Sequence, residues 1–262
     1  MYSQSSINFS RTRLGAESSA SRERRYFSLY ERNKLESDSD PRNQRNGPQV
    51  KICGITQIEH AVLCAELGAD AIGCIFYPKS PRHLSEDSAR DIVKALPSRV
   101  KTTGVFVNAG FENIMKKAVH CGLGAVQLHG RESPDLTRRL RQEGLVVIKA
   151  LFIDGTPPLS AAPRYDADAF LVECAGGPLP GGNALGWNWS SVKHFGSKYP
   201  LVLAGGLSAE NIGDAIGAAL PDVVDVSSGV ESGPGKKDAE KIKSFFSAVD
   251  QCKISKSFRK VY

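Results

Sequence analysis

Three residues stand where proton chemistry needs them. Cys53 ends a short apolar run in Lys51-Ile52-Cys53-Gly54-Ile55-Thr56. Glu173 follows another, in Phe170-Leu171-Val172-Glu173-Cys174, and Asp225 lies within a third, Val223–Val226. A thiol at a strand tip can act as a general base where nearby positive charge lowers its pKa. Lys51 lies two residues before Cys53, on the same side of an extended strand. A carboxyl kept protonated by burial supplies the matching acid. Cys64, Cys74, Cys121 and Cys252 read as packing thiols. The six cysteines form no C-x-x-C pair, so neither a zinc site nor a disulfide framework is indicated.

Other residues suit binding. Ala204-Gly205-Gly206-Leu207 and Ser227-Ser228-Gly229-Val230 are built of small residues that let backbone N–H groups approach an anion, which suits a phosphate. Arg82, in Tyr77-Pro78-Lys79-Ser80-Pro81-Arg82, carries a fork that fits a carboxylate; a solvated surface arginine is the alternative. Gln127 and His129, at the tip of an apolar run, either hydrogen-bond a substrate or serve the structure. The Gly- and Pro-rich stretch from 175 to 187 is costly to order. It reads as a substrate-covering lid, or else as a surface loop.

The elements that must position these residues follow a regular grammar. Candidate strands are Val50–Cys53, Ala71–Phe76, Thr103–Val107, Ala125–Leu128, Val146–Ala150, Ala169–Val172, Leu201–Ala204 and Val223–Val226. They lack polar alternation, as parallel strands covered by helices do. Amphipathic segments lie between most of them. Thr56, with Glu59 three residues on, is the expected cap of the first helix. Ser133-Pro134 opens another helix and Gly144 stops it. Ser208 and Asp238 are the expected caps of the last two, with Ile242, Phe245, Phe246 and Val249 facing inward. Asp154–Asp168 allows only a short helix. Eight strands alternating with helices predict a (β/α)8 TIM barrel, which gathers all the strand tips on one face. A doubly wound sheet is the runner-up, but it would carry a Gly-rich turn after its first strand, and 53–56 is not one.

The chain has 262 residues and a net charge of +6. Its expected organisation is an extension over 1–48, one barrel domain over 49–252 and a tail over 253–262. The extension has no sustained hydrophobic period and reads as disordered. Its arginines among serines have the flavour of a transit peptide, but Glu17, Glu23, Glu31, Glu36, Asp38 and Asp40 argue against one. The mild charge does not indicate nucleic acid, and no apolar run is long enough to span a bilayer. No secretory signal is visible, so a cytoplasmic protein is expected.

The segments Lys51–Thr56, Phe76–Arg82, Gly104–Asn108, Val126–Gly130, Ala204–Leu207 and Asp225–Glu231, followed by Pro234–Asp238, resemble phosphoribosylanthranilate isomerases of tryptophan biosynthesis. They occur in the family's order across about Val50 to Val249. The resemblance implies a (β/α)8 barrel that catalyses an Amadori rearrangement of N-(5-phosphoribosyl)anthranilate. It implies no metal, no organic cofactor, no nucleic-acid or membrane partner, and a monomer or homodimer. By resemblance Cys53 is the base that takes the C2′ proton, and an acid at the tip of strand six opens the furanose ring. Arg82 matches the arginine for the anthranilate carboxylate. Gly205, Gly206, Ser228 and Gly229 match the phosphate loops. Asp225 is the reserve acid, or a hydrogen-bond partner of substrate.

One departure stands out. The family acid is usually aspartate, followed by a loop of Gly-Gly-Thr-Gly character; here Glu173 is followed by a longer Gly177–Gly186 loop. Glutamate carries its carboxyl one methylene further out, and a misplacement of about 1 Å can cost on the order of 10²-fold in rate. The strand or the loop is expected to compensate. Two competing readings remain at this level. The related histidine-pathway isomerase uses two aspartates, one of them at the tip that Cys53 occupies here. A phosphate-ligand binder without catalysis would fit a lost acid.

Overall fold

The structure, a computed structural model, describes Arg42 and residues 45–175 and 187–262. The expected extension over 1–48 lies almost wholly outside the described residues, and of the expected lid over 175–187 only Ala175 and Trp187 lie within them. Eight parallel strands close into a barrel in sequence order. They are β1 (Gln49–Cys53), β2 (Ala71–Ile75), β3 (Lys101–Phe106), β4 (Ala125–Leu128), β5 (Val146–Phe152), β6 (Ala169–Glu173), β7 (Leu201–Leu203) and β8 (Val223–Val226). This is the (β/α)8 architecture expected from the alternating pattern. The closing seam pairs β1 with β8 and sets Lys51 opposite Asp225.

Helices α1 (Ile58–Glu66), α2 (Glu86–Ala95), α3 (Phe111–Cys121), α4 (Pro134–Gln142), α5 (Lys193–Lys198), α6 (Ile212–Ala219) and α7 (Ala239–Asp250) cover the strands. A 3-10 turn over Leu159–Arg164 fills the interval between β5 and β6, where only a short helix was expected. Packing explains the strand composition. Val50, Ile52, Ile72, Val126, Val147, Leu201 and Val224 are fully buried between barrel and helices. Removing such side chains from water is the main favourable term, roughly 1.5–3 kcal/mol each. Ile242, Phe245, Phe246 and Val249, at helical spacing, bury the inner stripe of α7 against α6 and α1.

Local capping follows the sequence in part. Ser133 accepts from the Leu136 N–H, and Asp238 accepts from Glu240 and Lys241. Two expected caps are corrected. Helix α1 begins at Ile58 after Gln57, with no side-chain cap, and the Thr56 hydroxyl instead donates to the Gly235 carbonyl at 3.0 Å. Helix α6 begins at Ile212, and Asn211 holds its entry by accepting from Ser208 N and donating to Gly206 O, both at 2.8 Å. In each case a polar group from a distant or neighbouring loop outcompeted the local cap.

Residues 253–262 form neither helix nor strand, yet they are tied down. Arg259 Nε donates to Asp222 Oδ2 at 3.0 Å, and its Nη2 reaches the Gly196 and Tyr199 carbonyls. Lys256 Nζ lies 2.9 Å from Asp222 Oδ1. The Gln49 side chain accepts from the N–H groups of Val261 and Tyr262, at 2.7 and 3.0 Å, and donates to the Tyr262 carbonyl. Gln49, Asp222 and Tyr199 all precede or open strands. The segment therefore lies across the N-terminal end of the barrel, opposite the C-terminal tips of the strands.

Candidate active site

A cleft opens at the C-terminal ends of the strands. Its lining includes Cys53, Arg82, Gln127, His129, Glu173, Gly205, Gly206, Asp225 and Ser228, which is all of the expected site residues except Gly229. Ile75, Val105, Leu171 and Val226 supply apolar wall. That mixture of apolar wall and a few convergent polar groups is typical of a small-molecule site.

Cys53 ends β1 and is buried. Burial pushes its thiol above the ordinary cysteine value, and the charge of Lys51, with that of Lys237, pulls against this. The expectation that Lys51 would lower the thiol outright is therefore met only as a counterweight. Lys51 is committed elsewhere. Its ammonium lies 2.7 Å from Asp225 Oδ2, and both side chains are buried. Burial disfavours the Lys51 charge, but Asp225 beside it overcomes that and holds its pKa above the ordinary lysine value. Asp225 Oδ1 is buried and has no hydrogen-bond partner among the described residues.

Across the barrel a polar chain runs from β4 to β6. Gln127 Nε2 lies 2.9 Å from His129 Nδ1, and His129 Nε2 lies 2.9 Å from Glu173 Oε1. All three side chains are buried, and the Phe152 ring meets the imidazole edge-on at 5.7 Å. Whether Gln127 offers its amide nitrogen or its oxygen decides which imidazole nitrogen carries the proton. With nitrogen toward Nδ1, the proton sits on Nε2 and points at Glu173. Gln127 Oε1 is without a partner among the described residues, so the amide can also be turned.

Arg82 is not a solvated arginine. Its Nε and Nη2 grip Glu231 Oε1 and Oε2 at 2.8 and 2.7 Å. The fork expected for a ligand carboxylate is half occupied by a protein carboxylate, leaving Nη1 with no partner among the described residues. Gly54 makes this arrangement possible. It has a φ of 73°, and a Cβ there would come within 2.5 Å of Arg82 Cδ.

Two loops make the remaining wall. The turn Ser228–Val230 after β8 lies against the loop after β7, so closely that a Cβ on Gly229 would sit 1.9 Å from the Leu207 carbonyl oxygen. Only glycine fits. Gly205 and Gly206 both hold positive φ, at 87° and 69°. Sequence reasoning overlooked the roles of two residues here. Glu231 and Lys237 lie in the motif that was read, but nothing local signalled that they would meet each other and Arg82.

The geometry can be set beside known proteins. A sequence model of the family N-(5′-phosphoribosyl)anthranilate (PRA) isomerase matches residues 50–248. The N-(5′-phosphoribosyl)anthranilate isomerase of Desulfatibacillum aliphaticivorans is 50% identical over 214 residues, covering 82% of this chain and 98% of that protein. The crystal structure of phosphoribosyl anthranilate isomerase from Thermotoga maritima has a TM-score of 0.71 and 41% identity, covering 77% of this chain and 98% of its own. A crystal structure of a phosphoribosyl anthranilate isomerase in complex with reduced 1-(o-carboxyphenylamino)-1-deoxyribulose 5-phosphate has a TM-score of 0.69 and 40% identity, covering 77% of this chain and 98% of its own. With barrel, cleft and sequence in agreement across nearly the whole described region, the chain belongs to the N-(5′-phosphoribosyl)anthranilate isomerase family.

Proposed function

We propose that this chain isomerises N-(5-phosphoribosyl)anthranilate to 1-(2-carboxyphenylamino)-1-deoxyribulose 5-phosphate in tryptophan biosynthesis. The observation that carries this reading is the placement of Cys53 and the His129-linked Glu173 in the walls of one cleft, at the tips of β1 and β6. The rearrangement needs a proton delivered to the furanose ring oxygen and another taken from C2′.

Glu173 is the proposed acid. Its proton goes to the ring oxygen as the C1′–O bond breaks, and the anilino nitrogen lone pair forms the C1′=N bond. With the Gln127 amide nitrogen toward Nδ1, His129 Nε2–H donates to Glu173 and steadies the carboxylate left when the proton has gone to the ring oxygen. Cys53, as thiolate, takes the C2′ proton, and the electron pair moves to give the enolamine, which tautomerises to the aminoketose. A thiolate whose pKa is raised by burial is scarcer but a stronger base.

Arg82 is the proposed partner of the anthranilate carboxylate. Gly205, Gly206, Ser228 and Gly229 are proposed to receive the phosphate through backbone N–H groups. Asp225 is proposed to accept a substrate hydroxyl through its unpartnered Oδ1. The enzyme is proposed to act in the cytoplasm, as a monomer or homodimer, without cofactor, nucleic acid or membrane. Among the described residues no helix is long and apolar enough to cross a membrane. Expression in a bacterial strain that lacks this isomerase tests the reading: growth without added tryptophan is expected. A folded, soluble chain that leaves the strain auxotrophic contradicts it.

A further inference from the structure

Behind the cleft lies a cluster of charges that the proton chemistry does not use. Glu231 opens β9 (Glu231–Gly233), and Lys237 lies in β10 (Lys236–Lys237), a small hairpin that follows β8. Glu231 Oε1 accepts from Arg82 Nε and from Lys237 Nζ, both at 2.8 Å, and Oε2 accepts from Arg82 Nη2 at 2.7 Å. Lys237 Nζ also donates to the Ser227 carbonyl at 2.9 Å and lies 3.4 Å from the Ser227 hydroxyl. All three charged side chains are buried.

Lys237 Nζ faces a carbonyl, a hydroxyl and a carboxylate, a set that suits the three hydrogens of an ammonium. Burial pulls its pKa below the ordinary lysine value, and the Glu231 carboxylate beside it pulls the other way and favours the ammonium. Burial opposes the Glu231 charge, but Arg82 and Lys237 overcome it and hold the carboxyl below its ordinary value. Two cations around one carboxylate leave one net positive charge in the wall of the cleft. A neutral Arg–Glu pair alone would offer an anion nothing.

We propose that Glu231 and Lys237 form a positioning clamp. It locks Arg82 in fixed relation to the Ser227–Gly229 turn, and its net positive charge serves both the substrate's anionic ends and Cys53. This rests on the isomerase reading for the two anions, but the effect on Cys53 does not. Arg82 comes from the loop after β2 and Ser227 from the end of β8. The clamp ties these two loops together, so carboxylate and phosphate sites keep their spacing. The charges that act on Cys53 are Lys51 and Asp225 at the barrel seam and Lys237 in the hairpin, and its titratable neighbours also include Cys74 and Tyr262. Lys51 favours the thiolate more than Lys237 does, Asp225 opposes it, and Lys237 adds to the favourable side from the hairpin. Around Lys237 itself stand Glu231, Arg82, Cys53 and Cys64.

The test compares full-length wild type with Lys237→Met, Lys237→Arg and Glu231→Gln, each checked for fold by circular dichroism. The first readout needs no substrate: the rate of iodoacetamide alkylation of Cys53 against pH, followed by peptide mass spectrometry. The second is KM and kcat on phosphoribosylanthranilate. Lys237→Met is expected to move the alkylation midpoint to higher pH and to raise KM on the order of tenfold, the worth of a charged contact. Lys237→Arg is expected to restore the midpoint. Glu231→Gln is expected to raise KM by releasing Arg82, and it carries the test if Lys237→Met does not fold. An unchanged midpoint in folded Lys237→Met, or an unchanged KM in Glu231→Gln, overturns the clamp. Absence of turnover in wild type strikes the isomerase reading instead, and the alkylation readout still decides the charge.

Discussion

Lys51 and Asp225 are register partners across the seam that closes the barrel, and their side chains form a buried ion pair at 2.7 Å. They are 174 residues apart in sequence. The pair fastens the first strand to the last and sits one interior position below Cys53. Replacing Lys51 by Met leaves the Asp225 carboxylate buried and unpaired, which costs about 3–5 kcal/mol. It also removes a charge that favours the Cys53 thiolate. Two results are expected from Lys51→Met: a lower urea midpoint, and a base limb of kcat/KM displaced to higher pH. In wild type, Lys51 has a folded pKa above its unfolded value, so its contribution to stability is complete below about pH 10 and is lost only as pH rises through the folded value.

Glu173 reaches His129 because it has one methylene more than aspartate. Glu173→Asp, although it installs the usual family acid, is expected to break the 2.9 Å contact with His129 in this chain. Steady-state kinetics should show kcat lowered by up to about 10²-fold, the cost of a misplacement of about 1 Å. An aspartate variant as fast as wild type would show that the strand, not the side-chain length, places the acid.

Asp222 anchors the segment after α7. Its carboxylate accepts from Lys256, from Arg259 and from the Leu201 N–H at 3.0 Å. Burial opposes ionisation, and these donors outweigh it, so the folded pKa lies below the ordinary value. Stability from Asp222 is therefore present above the unfolded pKa of about 3.9 and fades as pH falls through the folded one. Asp222→Asn is expected to lose about 1–3 kcal/mol at pH 7, the cost of leaving buried partners unmatched. The gap from wild type should close below about pH 4. Urea titrations across that range check it.

Removing the cation from the other end of the cleft has a separate signature. Arg82→Met leaves Glu231 with Lys237 and the Gly235 N–H as its remaining partners and the carboxylate site without its fork. KM is expected to rise on the order of ten- to a hundredfold. Inorganic phosphate should inhibit the variant more weakly than wild type, but by a smaller factor than the change in KM, because the loops after β7 and β8 are intact while the net positive charge is lost.

The barrel was legible because its signal is repetitive. Ala125–Leu128 and Val223–Val226 were expected as strands and are strands over those same residues. Apolar runs of that length, bounded by polar turns, have few other solutions. Cys53 and Glu173 could be placed at strand tips for the same reason. The partners of charged groups were not legible. Arg82 and Glu231 are 149 residues apart, and no local pattern says that half of the Arg82 fork is taken. The caps failed for a related reason: Thr56 fits a capping box, but the Gly235 carbonyl, 179 residues on, claims its hydroxyl. Periodicity survives folding because every turn repeats it, whereas a single hydrogen bond goes to whichever donor or acceptor the tertiary fold brings near.

The isomerase and its acid are tested together by turnover of freshly prepared phosphoribosylanthranilate, followed by loss of its fluorescence, for wild type, Cys53→Ser and Glu173→Gln. Rapid turnover is expected of wild type and collapse of both variants, each still folded. Full activity in Glu173→Gln would contradict the assignment of the acid, and a well-folded wild type with no turnover would contradict the isomerase itself.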